Sequence, residues 1–234
     1  MENEDALGNI ENYFWIIDGA TDLYDSKKSI GYSVSEITHL LSEKLKVYCS
    51  EKESLKTIFQ NAIKEVRNII GLNDSNHEEY YKLPTFAFII ARLSQRKLEY
   101  LILGDCVMLV NDEQLTDHRV DRLFDLGKNE IENSKNGLNV LNKKEILQKI
   151  RELANKEKGY WIGSLDDSSI EHGLYGNLEV TGDKIVLMSD GFYDYYSQNT
   201  TKSFEELIAM RKQSTELDPI YGKKDDASIL VVEL

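Results

Sequence analysis

Short apolar runs rich in β-branched and aromatic residues recur along the chain. They predict strands at Tyr13–Ile17 (YFWII), Thr85–Leu93 (TFAFIIARL), Leu98–Leu103 (LEYLIL), Val107–Val110, Lys184–Met188 (KIVLM) and Ser228–Glu233 (SILVVE). Several alternate in polarity or run apolar throughout, as buried strands do. A different period governs Val34–Tyr48. There Val34, Ile37, Leu41, Leu45 and Tyr48 recur at helical spacing behind Ser33, which predicts an amphipathic helix with a serine cap. Ser54–Ile70 and Lys144–Lys156 read as helices on the same grounds, and Ser203–Lys212 (SFEELIAMRK) opens with the Ser-x-x-Glu pattern of a capping box. The order is a strand, two helices, a block of strands, a helix, and two further strand regions with a helix between them. That order predicts an α+β layered domain rather than a regularly alternating parallel α/β fold.

Only two prolines occur, Pro84 and Pro219, and no Gly/Ser/Pro-rich tract marks a linker, so residues 1–234 read as a single domain. A core of that size needs no disulfide or structural zinc. Cys49 and Cys106 form no C-x-x-C pair, which favours a reducing compartment. The opening MENEDALGN lacks the basic end and apolar stretch of a signal peptide, and no apolar run approaches the ~20 residues that span a bilayer, so a cytoplasmic location without a membrane partner is expected. The formal net charge of −13 argues against a nucleic-acid partner, since phosphate backbones select Lys/Arg-rich faces.

Part of that negative charge is arranged in a way that suggests chemistry. Phe14-Trp15-Ile16-Ile17 leads into Asp18-Gly19, and Ile185-Val186-Leu187-Met188-Ser189 leads into Asp190-Gly191. The inverse occurs where Lys224-Asp225-Asp226 precedes Ala227-Ser228-Ile229-Leu230-Val231-Val232. Strand ends bring distant residues together, and carboxylates gathered this way repel one another unless a hard cation such as Mg²⁺ or Mn²⁺ lies between them. Each Asp-Gly alone also reads as a turn dipeptide. On the residues alone, both readings stay open.

The order of the motifs resembles the metal-dependent protein phosphatase, or protein phosphatase 2C, family over nearly the whole chain. Asn3-Glu4-Asp5-Ala6 is similar to its N-terminal acidic motif, and Ile17-Asp18-Gly19-Ala20-Thr21 to its first Asp-Gly motif. Gly104-Asp105-Cys106 and Gln114-Leu115-Thr116-Asp117-His118 resemble its Gly-Asp-Ser and Leu-Thr-x-Asp-His segments. Ser189-Asp190-Gly191-Phe192 and Asp225-Asp226-Ala227-Ser228 stand where the family has Ser-Asp-Gly-Leu and Asp-Asn-hydrophobic-Thr.

The resemblance implies a four-layer α-β-β-α sandwich, with two central antiparallel sheets flanked by helix pairs and a dinuclear Mg²⁺ or Mn²⁺ centre at one end. It implies that Asp18 bridges both cations, that the Gly19 carbonyl ligates one, and that Asp190 and Asp225 complete the other. Glu4 and Asp5 are expected to act through water, Asp105 to match a weaker third cation site, and His118 to be structural. The implied activity is hydrolysis of phosphoserine and phosphothreonine on proteins by a metal-activated water, with a cognate Ser/Thr kinase as opposing partner. No cysteine nucleophile is needed, and Cys106 reads as a small buried hydrophobe.

Three departures bear on the substrate. Ala20-Thr21 replaces the family's glycine pair, Leu83-Pro84-Thr85 matches its Gly-Thr-Thr segment only in part, and no arginine precedes Asn3-Glu4-Asp5 where the family holds phosphate. Lys27, Lys28 and Lys82 are candidate replacements, and substrate-binding residues are otherwise unassigned. Tyr193, Tyr195 and Tyr196 open a segment running to Lys224 that corresponds to a flap, where they contact substrate or pack on the sandwich edge. A pseudophosphatase serving as a binding module is the alternative. A haloacid-dehalogenase-type mechanism fails because Ile16 stands where its first aspartate belongs.

Overall fold

The computed structural model describes residues 3–49, 52–72, 80–119, 140–215 and 225–234. Its strands are β1 (Ala6–Ile10), β2 (Tyr13–Gly19), β3 (Thr85–Ser94), β4 (Lys97–Leu103), β5 (Val107–Val110), β6 (Glu113–Leu115), β7 (Gly163–Ser164), β8 (Leu174–Glu179), β9 (Lys184–Met188) and β10 (Ile229–Glu233). The helices are α1 (Ser26–Ile30), α2 (Val34–Tyr48), α3 (Leu55–Ile70), α4 (Val140–Arg151), α5 (Asp190–Ser197) and α6 (Phe204–Gln213), with a 3₁₀ turn at Asp167–His172.

Two antiparallel sheets result. One has the order β1-β2-β3-β4-β8 with β7 also pairing β3, and the other has the order β10-β9-β5-β6. The two-residue period of a strand sorts side chains into layers. Tyr13, Trp15 and Ile17 of β2 join Phe86, Phe88 and Ile90 of β3 in a core shared with Ile37, Leu41 and Leu45 of α2 and Ile58, Phe59 and Ala62 of α3. The alternate residues, Phe14 and Ile16 with Ala87, Ile89 and Ala91, meet Met108, Val110, Ile185 and Leu187 between the sheets. On the far side of the second sheet, Val107, Val186 and Met188 pack against Phe192 of α5 and Leu207 of α6. This is the α+β sandwich of two antiparallel sheets that the motif order implies.

The helix starts follow local chemistry. Ser33 and Glu36 form the reciprocal capping box of α2, Ser203 and Glu206 that of α6, and the Ser54 side chain accepts from Thr57 N to cap α3. The prediction over Lys144–Lys156 needs correction, because the helix spans Val140–Arg151 and stops short. Ala154 pairs with Tyr160 in an isolated bridge, Asn155 adopts a positive φ of 57°, and its side chain accepts from Ile162 N, so the chain reverses there. Asp190-Gly191 opens α5 behind Ser189 rather than forming a turn. Strands β1, β6, β7 and β8 were not predicted, being short or of mixed composition.

Phe59 ties α3 to the first sheet, stacking on Phe88 with centroids 3.8 Å apart and lying 6.1 Å from Phe86. Phe59→Ala is expected to lower stability by about 3–5 kcal/mol in urea unfolding. A loss below about 1 kcal/mol would show that this contact is not a principal support of the layer.

Candidate metal centre

Register places the first acid. Asp18 pairs with Ala87 and Gly19 with Phe86 across β2 and β3, so Asp18 continues the face of Phe14 and Ile16 and emerges between the sheets at their rim. Asp190 reaches the same place from the second sheet, since β9 ends at Met188 and Ser189 caps α5. The Asp190 amide donates to Asp18 Oδ2 at 3.3 Å. A carboxylate in the first turn of a helix also gains from the positive end of its dipole.

The third segment is locked to the second by two serines. Ser189 N donates to the Ser228 carbonyl at 3.0 Å, and Ser228 N donates to Ser189 Oγ at 2.9 Å. The approach is so close that a Cβ on Gly191 would lie 2.2 Å from the Asp226 carbonyl and 3.0 Å from Asp225 Oδ2. Only glycine leaves that space open. Asp226 Oδ2 accepts from Glu4 N at 2.7 Å, which ties the N-terminal segment to the C-terminal one. That segment is held from its other side as well, by Thr38 Oγ1 donating to the Glu4 carbonyl at 2.8 Å and Ser35 Oγ donating to the Asn3 carbonyl at 2.7 Å. A Cβ on Gly19 would sit 2.6 Å from the Glu4 carbonyl, so this glycine lets β2 approach the segment that delivers Asp5.

Asp105 sits in the turn between β4 and β5. Beneath it Asp117 is buried and accepts from Gly104 N at 3.5 Å and from Arg119 Nε and Nη2 at 2.7 and 2.6 Å. The Leu-Thr-x-Asp-His segment therefore supports this turn through Asp117, while His118 is exposed.

The electrostatics describe one shared acidic field. Burial raises the Asp18 carboxyl well above its usual range, and the neighbouring Asp190, Asp5 and Asp105 add to it. Asp190 rises from 3.8 to about 7, through burial first and Asp105 next, with its hydrogen bond to Asp18 acting the other way. Asp5 is raised by burial, and Ser228, Asp18 and Ser189 beside it offset part of that. The same field and its own burial push the Cys106 thiol well above its ordinary value, so Cys106 is an inert core residue and no nucleophile.

Asp5, Asp18, Asp105 and Asp190 are thus brought together, and Asp225 stands beside Gly191 next to them. Glu4 meets this group through its backbone. As placed, no three His, Cys, Asp or Glu side chains among the described residues form a set that could hold a metal ion. The donor chemistry nevertheless fits a hard divalent cation. The donors are carboxylate oxygens, they raise one another's proton affinity, and both Asp5 oxygens are buried without a hydrogen-bond partner.

Several supporting residues had not been singled out from the sequence. Ser189, Ser228 and Asp226 are the clamps, and Arg211 of α6 donates to the Asp225 carbonyl at 2.9 Å. The signal for Ser189 and Ser228 was their adjacency to the two acidic pairs. Tyr193, Tyr195 and Tyr196 are partly buried against the Val186, Met188 and Phe192 cluster. Lys224 lies outside the described residues. Of the lysines considered for phosphate, Lys27 pairs with Glu36 at 2.5 Å, Lys28 is exposed, and Lys82 Nζ lies 5.7 Å from the Tyr81 ring centroid.

Two antiparallel sheets between helices, with acidic residues from both sheets and both chain ends at one rim, define a layered α+β sandwich with an acidic cleft. The chain belongs to the protein phosphatase 2C family, whose profile matches residues 1–219. Among solved structures it is similar to the serine/threonine phosphatase Stp1 from Staphylococcus aureus, with a TM-score of 0.58 at 17% identity, covering 100% of this chain and 90% of that one. PppA of Pseudomonas aeruginosa gives a TM-score of 0.58 at 13% identity, covering 98% and 90%. The catalytic domain of the serine/threonine protein phosphatase PstP, in complex with two manganese ions, gives 0.54 at 14%, covering 98% and 90%. These likenesses show the fold. No curated protein matches the chain by sequence.

The raised carboxyls fix the sign of a pH effect. Asp18, Asp190 and Asp5 bind protons more tightly folded than unfolded, so folding takes up protons and stability falls as pH rises through the window between the two values. For Asp190 that window runs from 3.8 to about 7. In chelator, the melting temperature is expected to drop between about pH 5 and about pH 7.5, and Asp18→Asn should flatten the slope. A melting temperature that rises over that range would contradict the acidic field described here.

Proposed function

We propose that the chain is a metal-dependent phosphatase hydrolysing phosphoserine and phosphothreonine on proteins. The observation that carries this reading is the convergence of Asp5, Asp18, Asp105 and Asp190 at one rim of a protein phosphatase 2C fold. In this reading Asp18, the Gly19 carbonyl, Asp190 and Asp225 would hold two Mg²⁺ or Mn²⁺ ions, with Asp18 shared between them. Glu4 and Asp5 act through water, and Asp105 serves a third ion. When bound, such ions supply Lewis acidity and a water of lowered pKa.

The residues of the chain do the remaining work. Asp226 keeps Glu4 and Asp5 against the cluster through the Glu4 amide, and the Ser189–Ser228 pair keeps Asp190 and Asp225 adjacent. The sheet interior behind Asp18 excludes water from all but the open side of the site. We read residues 1–234 as one domain acting in the cytoplasm opposite a Ser/Thr kinase. No helix among the described residues is long and apolar enough to cross a membrane.

Hydrolysis of para-nitrophenyl phosphate and of a phosphothreonine peptide is expected only with Mn²⁺ or Mg²⁺. Asp190→Asn should reduce it on the order of a hundredfold, through loss of a ligand in a charged, partly desolvated site. Turnover that survives both chelation and this substitution would overturn the metal assignment. Calorimetric Mn²⁺ binding without any turnover would point instead to a binding module.

A further inference from the structure

The side chains described so far at the site are acidic, and in the phosphatase reading no basic side chain has yet been placed to hold the phosphoryl oxygens that the metal ions leave free. The last residue of α4 answers that need. Arg151 is 3% exposed, makes no ion pair among the described residues, and its Nε is buried without a hydrogen-bond partner. A buried guanidinium with no ion pair is costly, and the neighbouring Tyr160 side chain and the carboxyl-terminal end of its own helix offset only part of this. Such a group persists where a further anion compensates it.

Its position is fixed by the loop that follows the first Asp-Gly pair. Gln148 Nε2 donates to the Leu23 carbonyl at 2.9 Å, and Tyr24 Oη donates to the Gln148 carbonyl at 3.2 Å, so the end of α4 is docked onto residues 23–24. Beyond the helix, Asn155 Nδ2 donates to Ser164 Oγ at 3.2 Å, and Ser164 pairs with Thr85 across β7 and β3. Thr85 lies on the same face of β3 as Ala87, the partner of Asp18, and its buried hydroxyl has no hydrogen-bond partner. Tyr160 lies within the field of both Arg151 and Asp105, which links the guanidinium to the acidic rim. Ser164 thus brings Asn155, four residues beyond Arg151, against the strand that carries the orphaned Thr85 Oγ1. Around them, Lys82 and Lys156 lie over the Tyr81 ring at 5.7 and 5.5 Å and raise the positive charge there.

We propose that Arg151 is the phosphate-binding guanidinium of this chain, taking oxygens of the phosphoryl group of a phosphomonoester from the α4 side of the cleft. This rests on the phosphatase reading above. A planar guanidinium suits a bidentate phosphate contact in a way that a lysine does not.

The test uses inorganic phosphate, followed by calorimetry on the Mg²⁺-loaded full chain and as an inhibitor of para-nitrophenyl phosphate turnover. Arg151→Lys is expected to weaken phosphate binding about tenfold and Arg151→Gln about a hundredfold. KM for a phosphothreonine peptide should rise in step, with a smaller change in kcat and an unchanged Mn²⁺ affinity. Phosphate affinity untouched in both variants, or in the Lys variant alone if the Gln variant does not fold, overturns the assignment. Lowered Mn²⁺ affinity at constant phosphate affinity also overturns it and makes Arg151 a counter-charge for the acidic cluster. Wild-type chain that shows no saturable phosphate binding overturns it too. Arg151-dependent phosphate binding without turnover supports the site while refuting the phosphatase reading, so the two fail separately.

Discussion

Repulsion between carboxylates crowded at one rim of a low-dielectric sandwich is the interaction around which this molecule is organised. Two unit charges about 4 Å apart repel by about 4 kcal/mol at an effective dielectric near 20, comparable with much of a domain's net stability. Holding Asp5, Asp18, Asp105 and Asp190 together therefore demands backbone restraint from every direction. The restraints are visible as the Ser189–Ser228 pair, the Asp226 contact to Glu4 N, and the hydroxyls of Ser35 and Thr38 on the N-terminal segment. Each has a backbone group as one partner, and only the contact to Glu4 N engages a carboxylate, that of Asp226. That leaves the carboxylate oxygens of Asp5 free for a cation.

The layering makes such restraint possible. Phe14 and Ile16 are sealed between the sheets, and the next residue on that face is Asp18, so the apolar interior ends in an acid without any change of strand register. The second sheet reaches the same rim by another route, since Ile185 and Leu187 face the interior, Val186 and Met188 face the helix layer, and the chain turns at Ser189 into α5 to deliver Asp190. Apolar burial along each strand offsets the electrostatic cost at its end, and the cost is recovered as affinity when a cation is bound. The glycines after each aspartate belong to this logic, because the Glu4 and Asp226 carbonyls occupy the space that a Cβ would need.

What the sequence revealed follows from what is local. Val34–Tyr48 was legible to the residue because its apolar period and its Ser33–Glu36 box agree, and β9 was legible because five consecutive residues carry strand propensity. The convergence of Asp18, Asp190 and Asp225 was legible only through motif order, since it depends on tertiary contacts such as that of the Asp190 amide with Asp18, 172 residues apart in the chain. Strand β1 escaped because ALGNI has neither clear alternation nor β-branched enrichment, and it exists because β2 offers it an edge. The overlong helix prediction at Lys144–Lys156 failed where tertiary pairing of Ala154 with Tyr160 overrode a continuing helical period. The serine clamps left only one mark, their adjacency to the acidic pairs, for a related reason. A serine that bonds a backbone forty residues away looks in sequence like any polar residue.

The same distinction explains why the two halves of the site differ in how they are encoded. The acidic residues of the rim sit at strand ends, where composition leaves a mark, whereas a basic side chain can come from any element that reaches the cleft. Arg151 ends a helix whose pattern is ordinary, and it is notable only for being buried with neither an ion pair among the described residues nor a partner for Nε. Its placement depends on Gln148 and Tyr24 gripping the loop after Asp18, a loop in which Ala20-Thr21 stands where a glycine pair is the family pattern. Docking α4 on that loop orders the guanidinium during folding, so little entropy remains to be lost when it meets an anion.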